Sequence, residues 1–111
     1  MTRRRRLSMR PEWEDAIRAG RKTIDARVVG DDIADVTVGQ IIRYPGARVR
    51  VRHLRFYPGF DDLLAHEDWR RIAPDATGVD ELRTLLEGAH AGTVRTKGAV
   101  AIEIEPLELP S

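Results

Sequence analysis

Two lysines stand among 17 arginines in this chain, Lys22 and Lys97, and the first sits in the stretch GRKTIDARV at residues 20–28. Arginine stays protonated in proteins, whereas a lysine amine surrenders its proton when burial or neighbouring cations lower its pKa. With Arg21 beside it and Arg27 on the following segment, Lys22 has the residue type and the surroundings of a general base acting on water. An ordinary exposed cation at a strand start is the competing reading. Asp25 and Arg27, two residues apart, share one face of an alternating segment. They form either a surface ion pair contributing about 0–1 kcal/mol, or a functional pair in which Arg27 holds a phosphate or carbonyl and Asp25 orients water.

A second basic feature lies downstream. Arg48, Arg50 and Arg52 alternate with Val49 and Val51, and Arg43 joins them from the preceding segment. Such a face suits an RNA backbone, with Tyr44, Phe56 and Tyr57 as stacking surfaces. Pairing of the same arginines with Glu103 and Glu105 across neighbouring strands accounts for them equally well, and Phe56 is at least as suited to the core. The histidines, His53, His66 and His90, lack metal-ligand spacing, and His66-Glu67 has no second histidine of a zinc-protease motif. Neither a phosphate-cradling glycine loop nor a serine nucleophile elbow is present, and no metal or cofactor is expected.

These residues require a scaffold. The chain has 111 residues, no cysteine, 41% hydrophobic and 33% charged residues, and six aromatics, which describes one soluble domain with a modest core. Without cysteine, disulfides, thiolate zinc sites and cysteine nucleophiles are excluded. The basic start MTRRRR runs into RPEWEDAIR and not into an apolar segment, so a cytoplasmic protein without signal peptide or membrane span is expected. Charge is uneven: residues 1–56 carry 14 Lys/Arg against 7 Asp/Glu, residues 57–111 carry 5 against 11. The N-terminal half would attract a polyanion, unless the two halves neutralise each other within one fold.

The pattern predicts β-α-β-β-β-α-α-β. Residues 1–6 read as a flexible basic tail leading to a strand that ends near 7–9. Pro11 opens a helix that Gly20 closes, and 23–29 is a half-buried strand with Thr23, Asp25 and Arg27 on its open face. The segment VTVGQIIRY leads through a turn into a strand, and Pro45-Gly46 is the next turn. Residues 47–57 form a strand whose apolar parity changes near Arg52 and His53, predicting a β-bulge. A helix over 59–75 comes next, then another opened by a Thr77–Asp80 capping box and closed by Gly88. A loop over 89–97 precedes a last strand, 98–105, with Val100, Ile102 and Ile104 inward.

Taken together, Gly20, Lys22, Thr23, Asp25 and Arg27, then Val38, Gly39 and Ile42, then Tyr57, Phe60 and Leu63, and finally the strand Val100 to Ile104, resemble the ASCH domain family, which is similar to RNA-binding PUA domains. The resemblance spans nearly the whole chain. It implies an α+β, PUA-like small mixed β-barrel flanked by helices, with a cleft between barrel and helices. It implies RNA or a nucleoside as partner, and an activity drawn from N4-acetylcytidine amidohydrolases, single-stranded ribonucleases or purely RNA-binding domains. In the small amidohydrolases the catalytic set is a Lys, a Thr three residues on and a downstream Glu. Lys22 matches the first, Asp25 stands at the Thr position, and the carboxylate falls at Asp75, with Glu67 as the alternative. The resulting site comprises Lys22, Asp25 and Asp75 for catalysis and Arg21, Arg27, Arg43, Tyr44, Arg48, Arg50 and Arg52 for binding.

Overall fold

The computed structural model describes residues 4–7, 9–30, 33, 35–89 and 98–107. Their elements run β1 (Arg4–Arg6), α1 (Pro11–Arg18), β2 (Ile24–Val28), β3 (Ile41–Tyr44), β4 (Ala47–Tyr57), α2 (Phe60–His66), α3 (Trp69–Ile72), α4 (Val79–Ala89) and β5 (Ala99–Pro106). The strands form one sheet in the order β1-β3-β4-β5-β2, antiparallel except for the parallel β1–β3 pair. The first strand is therefore made from the arginine run itself, at Arg4–Arg6, earlier than the position expected near 7–9.

β5 explains how the sheet is buried on both sides. Ala99 and Ala101 face one layer, where their small side chains let Phe60 and Leu63 of α2 and Leu82 and Leu86 of α4 approach closely. Val100, Ile102 and Ile104 face the other, the interior of a curled half-barrel filled by Ile42, Tyr44, Val49 and Val51 of β3 and β4 and Ile17 of α1. The result is an α+β, PUA-like architecture. On β2 the alternation holds, but its consequence differs from expectation. Ile24, Ala26 and Val28 pack under the helices, so Asp25, registered opposite Ile102, lies on the barrel-interior side and is buried. There is no open face: both sides of β2 are covered.

The bulge is present. Val51 pairs with Ile104 and His53 with Glu103, so Arg52 is the extra residue. Beyond it Leu54 takes the interior parity, while Arg55 and Tyr57 turn to the helical side; Phe56, at the strand end, is exposed. The helix expected over 59–75 breaks in two. Glu67 is extended, its carboxylate held by Arg55 and Tyr57, and the Asp68 carboxylate caps the Arg70 N–H to start α3. In the expected capping box it is Glu81, not Asp80, that reaches back to Thr77, and α4 runs through Gly88 to Ala89. Residues 1–3, Asp31, Asp32, Ala34, His90, the remainder of the 90–97 loop and Lys97 lie outside the described residues.

Candidate functional site

Two structural devices set the position of Lys22. Gly20, at φ 79°, closes α1: its N–H donates to the Ile17 carbonyl and the Arg21 N–H to the Ala16 carbonyl, the paired bonds of a Schellman motif. The Thr23 N–H then donates to the Arg71 carbonyl, tying the start of β2 to α3. Between these anchors the Lys22 side chain runs inward and is fully buried. Its Nζ donates to the carbonyls of Ile24 (2.7 Å) and Ile72, and lies 4.6 Å from the centroid of the Trp13 ring. Two carbonyls and a ring face satisfy the three donors of an ammonium. Burial lowers its pKa to about 8; Asp25 opposes the shift and Arg27 reinforces it. The expected lowering is thus present with a different leading cause, since Arg21 is not the neighbour that acts on Lys22. Arg21 pairs instead with Asp75 at 3.0 Å on the surface.

Asp25 accepts from Arg27 Nε at 2.9 Å and from the Tyr44 hydroxyl at 2.7 Å. This is a buried ion pair with a phenol as third member, not the exposed pair that strand alternation suggested. Burial, then the Asp25 charge and hydrogen bond, push the Tyr44 pKa well above the ordinary value, so the phenol remains a donor at any working pH. Lys22, Asp25, Arg27 and Tyr44 form one electrostatically linked cluster, and of these only Tyr44 is among the residues lining the cleft described next. Asp75 is separate from it, exposed and engaged with Arg21.

A cleft of about 580 Å³ opens between the end of α1, the β3–β4 turn and the end of β5. Tyr44 is among its lining residues, while its buried side chain belongs to the half-barrel interior, where the hydroxyl donates to Asp25. Arg43 and Arg48 also line it, as does Arg18, which donates to the Gly46 carbonyl and to Asp15. The volume suits a nucleotide-sized ligand. The rest of the proposed arginine face is dispersed: Arg50 donates to the Gly39 carbonyl at 3.0 Å, and Arg52 pairs across strands with Glu105 at 2.8 Å. Of that face, Arg52 takes the cross-strand pairing with Glu105, and Arg43 and Arg48 line the cleft.

Sequence reasoning missed a second polar cluster on the helical side of the sheet. Glu67 accepts two bonds from Arg55, at 2.6 and 2.9 Å, and one from the Tyr57 hydroxyl. Glu103 takes Arg55 at 3.0 Å and Arg71 at 3.3 Å, and Arg71 Nε donates to Thr23 Oγ1 at 2.8 Å. The bond from Arg55 leads in holding the Glu67 carboxyl below its usual range. The parity change at the bulge was the available signal, because it sends Arg55 and Tyr57 to the side opposite Leu54. His66 stacks on Tyr57 with its Nδ1 against the Asp62 carbonyl, and His53 lies 4.0 Å from Glu103. Among the described residues no group of three or more His, Cys, Asp or Glu side chains could hold a metal ion. No helix among them is long and apolar enough to cross a membrane.

No protein-family model and no curated protein matches the sequence. Solved structures do. The hypothetical protein PH0355 superposes with a TM-score of 0.89 at 26% identity, covering 95% of this chain and all of that one. Protein PF0455 from Pyrococcus furiosus gives 0.83 at 25%, covering 96% of this chain and all of that one. The ASCH protein from Zymomonas mobilis gives 0.64 at 16%, covering 93% of this chain and 69% of that one. The chain therefore has an ASCH-like fold, as the sequence resemblance implied.

Proposed function

We propose that this chain is an ASCH-type module that takes RNA or a modified nucleoside in the cleft between α1, the β3–β4 turn and β5. The observation that carries this reading is the cleft itself: nucleotide-sized, lined by Arg18, Arg43 and Arg48, and without a carboxylate among its lining residues. A cationic concavity of that size attracts a phosphorylated chain, and Pro45, Pro106 and Leu107 supply apolar surface for a base or sugar. Fluorescence anisotropy with a short single-stranded RNA tests it. Affinity is expected to fall linearly on a log–log plot against salt, with a slope of about 0.7 per phosphate contacted. Absence of binding at 50 mM salt, or binding indifferent to salt, refutes the proposal.

A hydrolytic role is the second reading, and the Lys22 pKa near 8 favours it: an amine titrating there supplies a usable fraction of base at neutral to mildly alkaline pH. Lys22 would activate water and Asp25 would orient it, with N4-acetylcytidine or single-stranded RNA as substrate. Asp75, held by Arg21 on the surface, would have to be drawn in by substrate. Against this reading, two Lys22 N–H bonds are committed to carbonyls and the third position faces Trp13, so the free amine's lone pair points at a ring and not at the cleft. Incubation of both substrates with wild type and Lys22→Met decides the matter. Conversion that rises towards pH 8 and is abolished in the variant supports hydrolysis; equal conversion by the two proteins refutes it.

A further inference from the structure

The register of β3 and β4 places Arg43 directly opposite Arg48. Side chains so placed have Cβ atoms about 4.5–5.5 Å apart, and like charges there destabilise a sheet. The register of β1 adds Arg6 opposite Arg43, so three arginine positions stand in one row across three adjacent strands. Most other described arginines are neutralised: Arg27, Arg52, Arg55, Arg71 and Arg83 each have a carboxylate partner, and Arg50, which has none among the described residues, donates to the Gly39 carbonyl. Arg43 and Arg48 have none among the described residues, although both are half-buried in the cleft wall. A phosphate group between two such arginines would supply the counter-ion they lack, each guanidinium offering a fork of donors to a tetrahedral dianion or a phosphodiester.

We infer that Arg43 and Arg48 are a phosphate clamp, and that the cleft takes a phosphorylated nucleotide unit in preference to a free nucleoside. This rests on the proposed use of the same cleft and narrows its ligand. A bound phosphate supplies the missing negative charge, relieves the cross-strand repulsion and accepts N–H bonds from both side chains. Tyr44, whose hydroxyl is committed to Asp25, contributes wall and not a donor to the phosphate. Phosphate position would then fix which part of the ligand lies along Pro45, Pro106 and Leu107.

Titration calorimetry and thermal melting with inorganic phosphate, cytidine and cytidine 5′-monophosphate test the clamp on wild type, Arg43→Gln, Arg48→Gln, Arg48→Lys and the charge-matched control Arg83→Gln. The monophosphate is expected to bind and raise the melting temperature, cytidine to bind at least tenfold more weakly, and each Gln variant to lose on the order of tenfold in monophosphate affinity. Arg48→Lys should lie between, keeping the charge without the fork. The Gln variants alone should melt no lower than wild type, because each removes a repulsion, so the loss of affinity cannot be ascribed to a damaged fold. Cytidine binding as tightly as its monophosphate, or Gln variants within twofold of wild type, overturns the inference. Salt-dependent RNA binding that ignores Arg43 and Arg48 overturns the clamp and leaves the proposed function standing. Phosphate held by the two arginines without any RNA binding supports the clamp and refutes the RNA reading. Comparing 5′-phosphorylated with 5′-hydroxyl oligonucleotides then tells a terminal phosphate from an internal diester.

Discussion

Burial of Lys22 makes a quantitative claim about stability and pH. Its pKa is about 8 in the folded protein, against 10.5 for an unburied lysine. Below pH 8 the group is protonated in both states, and the folded protein carries the full penalty of a buried ammonium. Between about pH 8 and 10.5 the unfolded chain binds more protons than the folded one, so stability rises with pH. A pKa unit corresponds to about 1.36 kcal/mol, giving a total gain of about 3 kcal/mol, of which about 2 kcal/mol accrues between pH 7 and 9.5. Lys22→Met keeps the length without the charge and is the reference. It leaves the Ile24 and Ile72 carbonyls without the Nζ donor but also removes the buried charge, and these effects oppose each other. Urea unfolding of both proteins at pH 7, 8, 9 and 9.5 should show wild type gaining about 2 kcal/mol on the variant across the series, a midpoint shift of roughly 1 M. Stopping at 9.5 stays below the ordinary tyrosine range, above which the raised Tyr44 pKa makes stability fall as the unfolded phenol ionises. A difference that stays flat from pH 7 to 9.5 would show that Lys22 titrates as an exposed lysine, and the buried-cation account would be wrong.

Two other substitutions probe the scaffold around the cleft. Gly20→Ala forces a Cβ into the left-handed region at φ 79°, with no neighbouring atom in the way, so the cost is purely conformational. About 1 kcal/mol, or about 4 °C in melting temperature, is expected by calorimetry. Glu14 is buried with Oε2 lacking a partner among the described residues. Removing an unsatisfied buried polar group is neutral or favourable, so Glu14→Leu should unfold at equal or higher urea concentration; a loss above 1 kcal/mol would show that the carboxylate holds Arg18 or the turn in place.

Local rules that concern a few consecutive residues were readable in the sequence. Gly20 as a helix stop, the bulge at Arg52 and Pro45-Gly46 as the β3–β4 turn each depend on backbone geometry within a short window. The errors came where a second layer decides the outcome. Alternation on β2 correctly separated Ile24, Ala26 and Val28 from Asp25 and Arg27, but it could not show that the second face is also covered, by the curl of the sheet and by Tyr44 from β3. Asp75, which the resemblance placed with Lys22, lies on the surface with Arg21, three residues beyond the Ile72 carbonyl that receives Lys22 Nζ.

The same distinction bears on what the lysine does. An arginine at position 22 could neither titrate near 8 nor fit three compact donors between two carbonyls and an indole, so the choice of lysine is explained by burial alone. Catalysis is an additional claim and needs an opening that exposes Nζ. The bonds that would break first are those to α3, through the Ile72 carbonyl to Nζ and the Arg71 carbonyl to the Thr23 N–H. A four-residue helix held to the sheet by Arg71, Glu103 and Thr23 is a small cooperative unit, and its local opening free energy lies below that of the core strands. If Lys22 is a base, the Thr23 amide should exchange its hydrogen faster than the Arg27 amide, which faces Val100 in the β2–β5 ladder, and ligand in the cleft should alter that rate. If Lys22 is structural, the two amides exchange together with global unfolding, and the arginine-lined cleft carries the function without it.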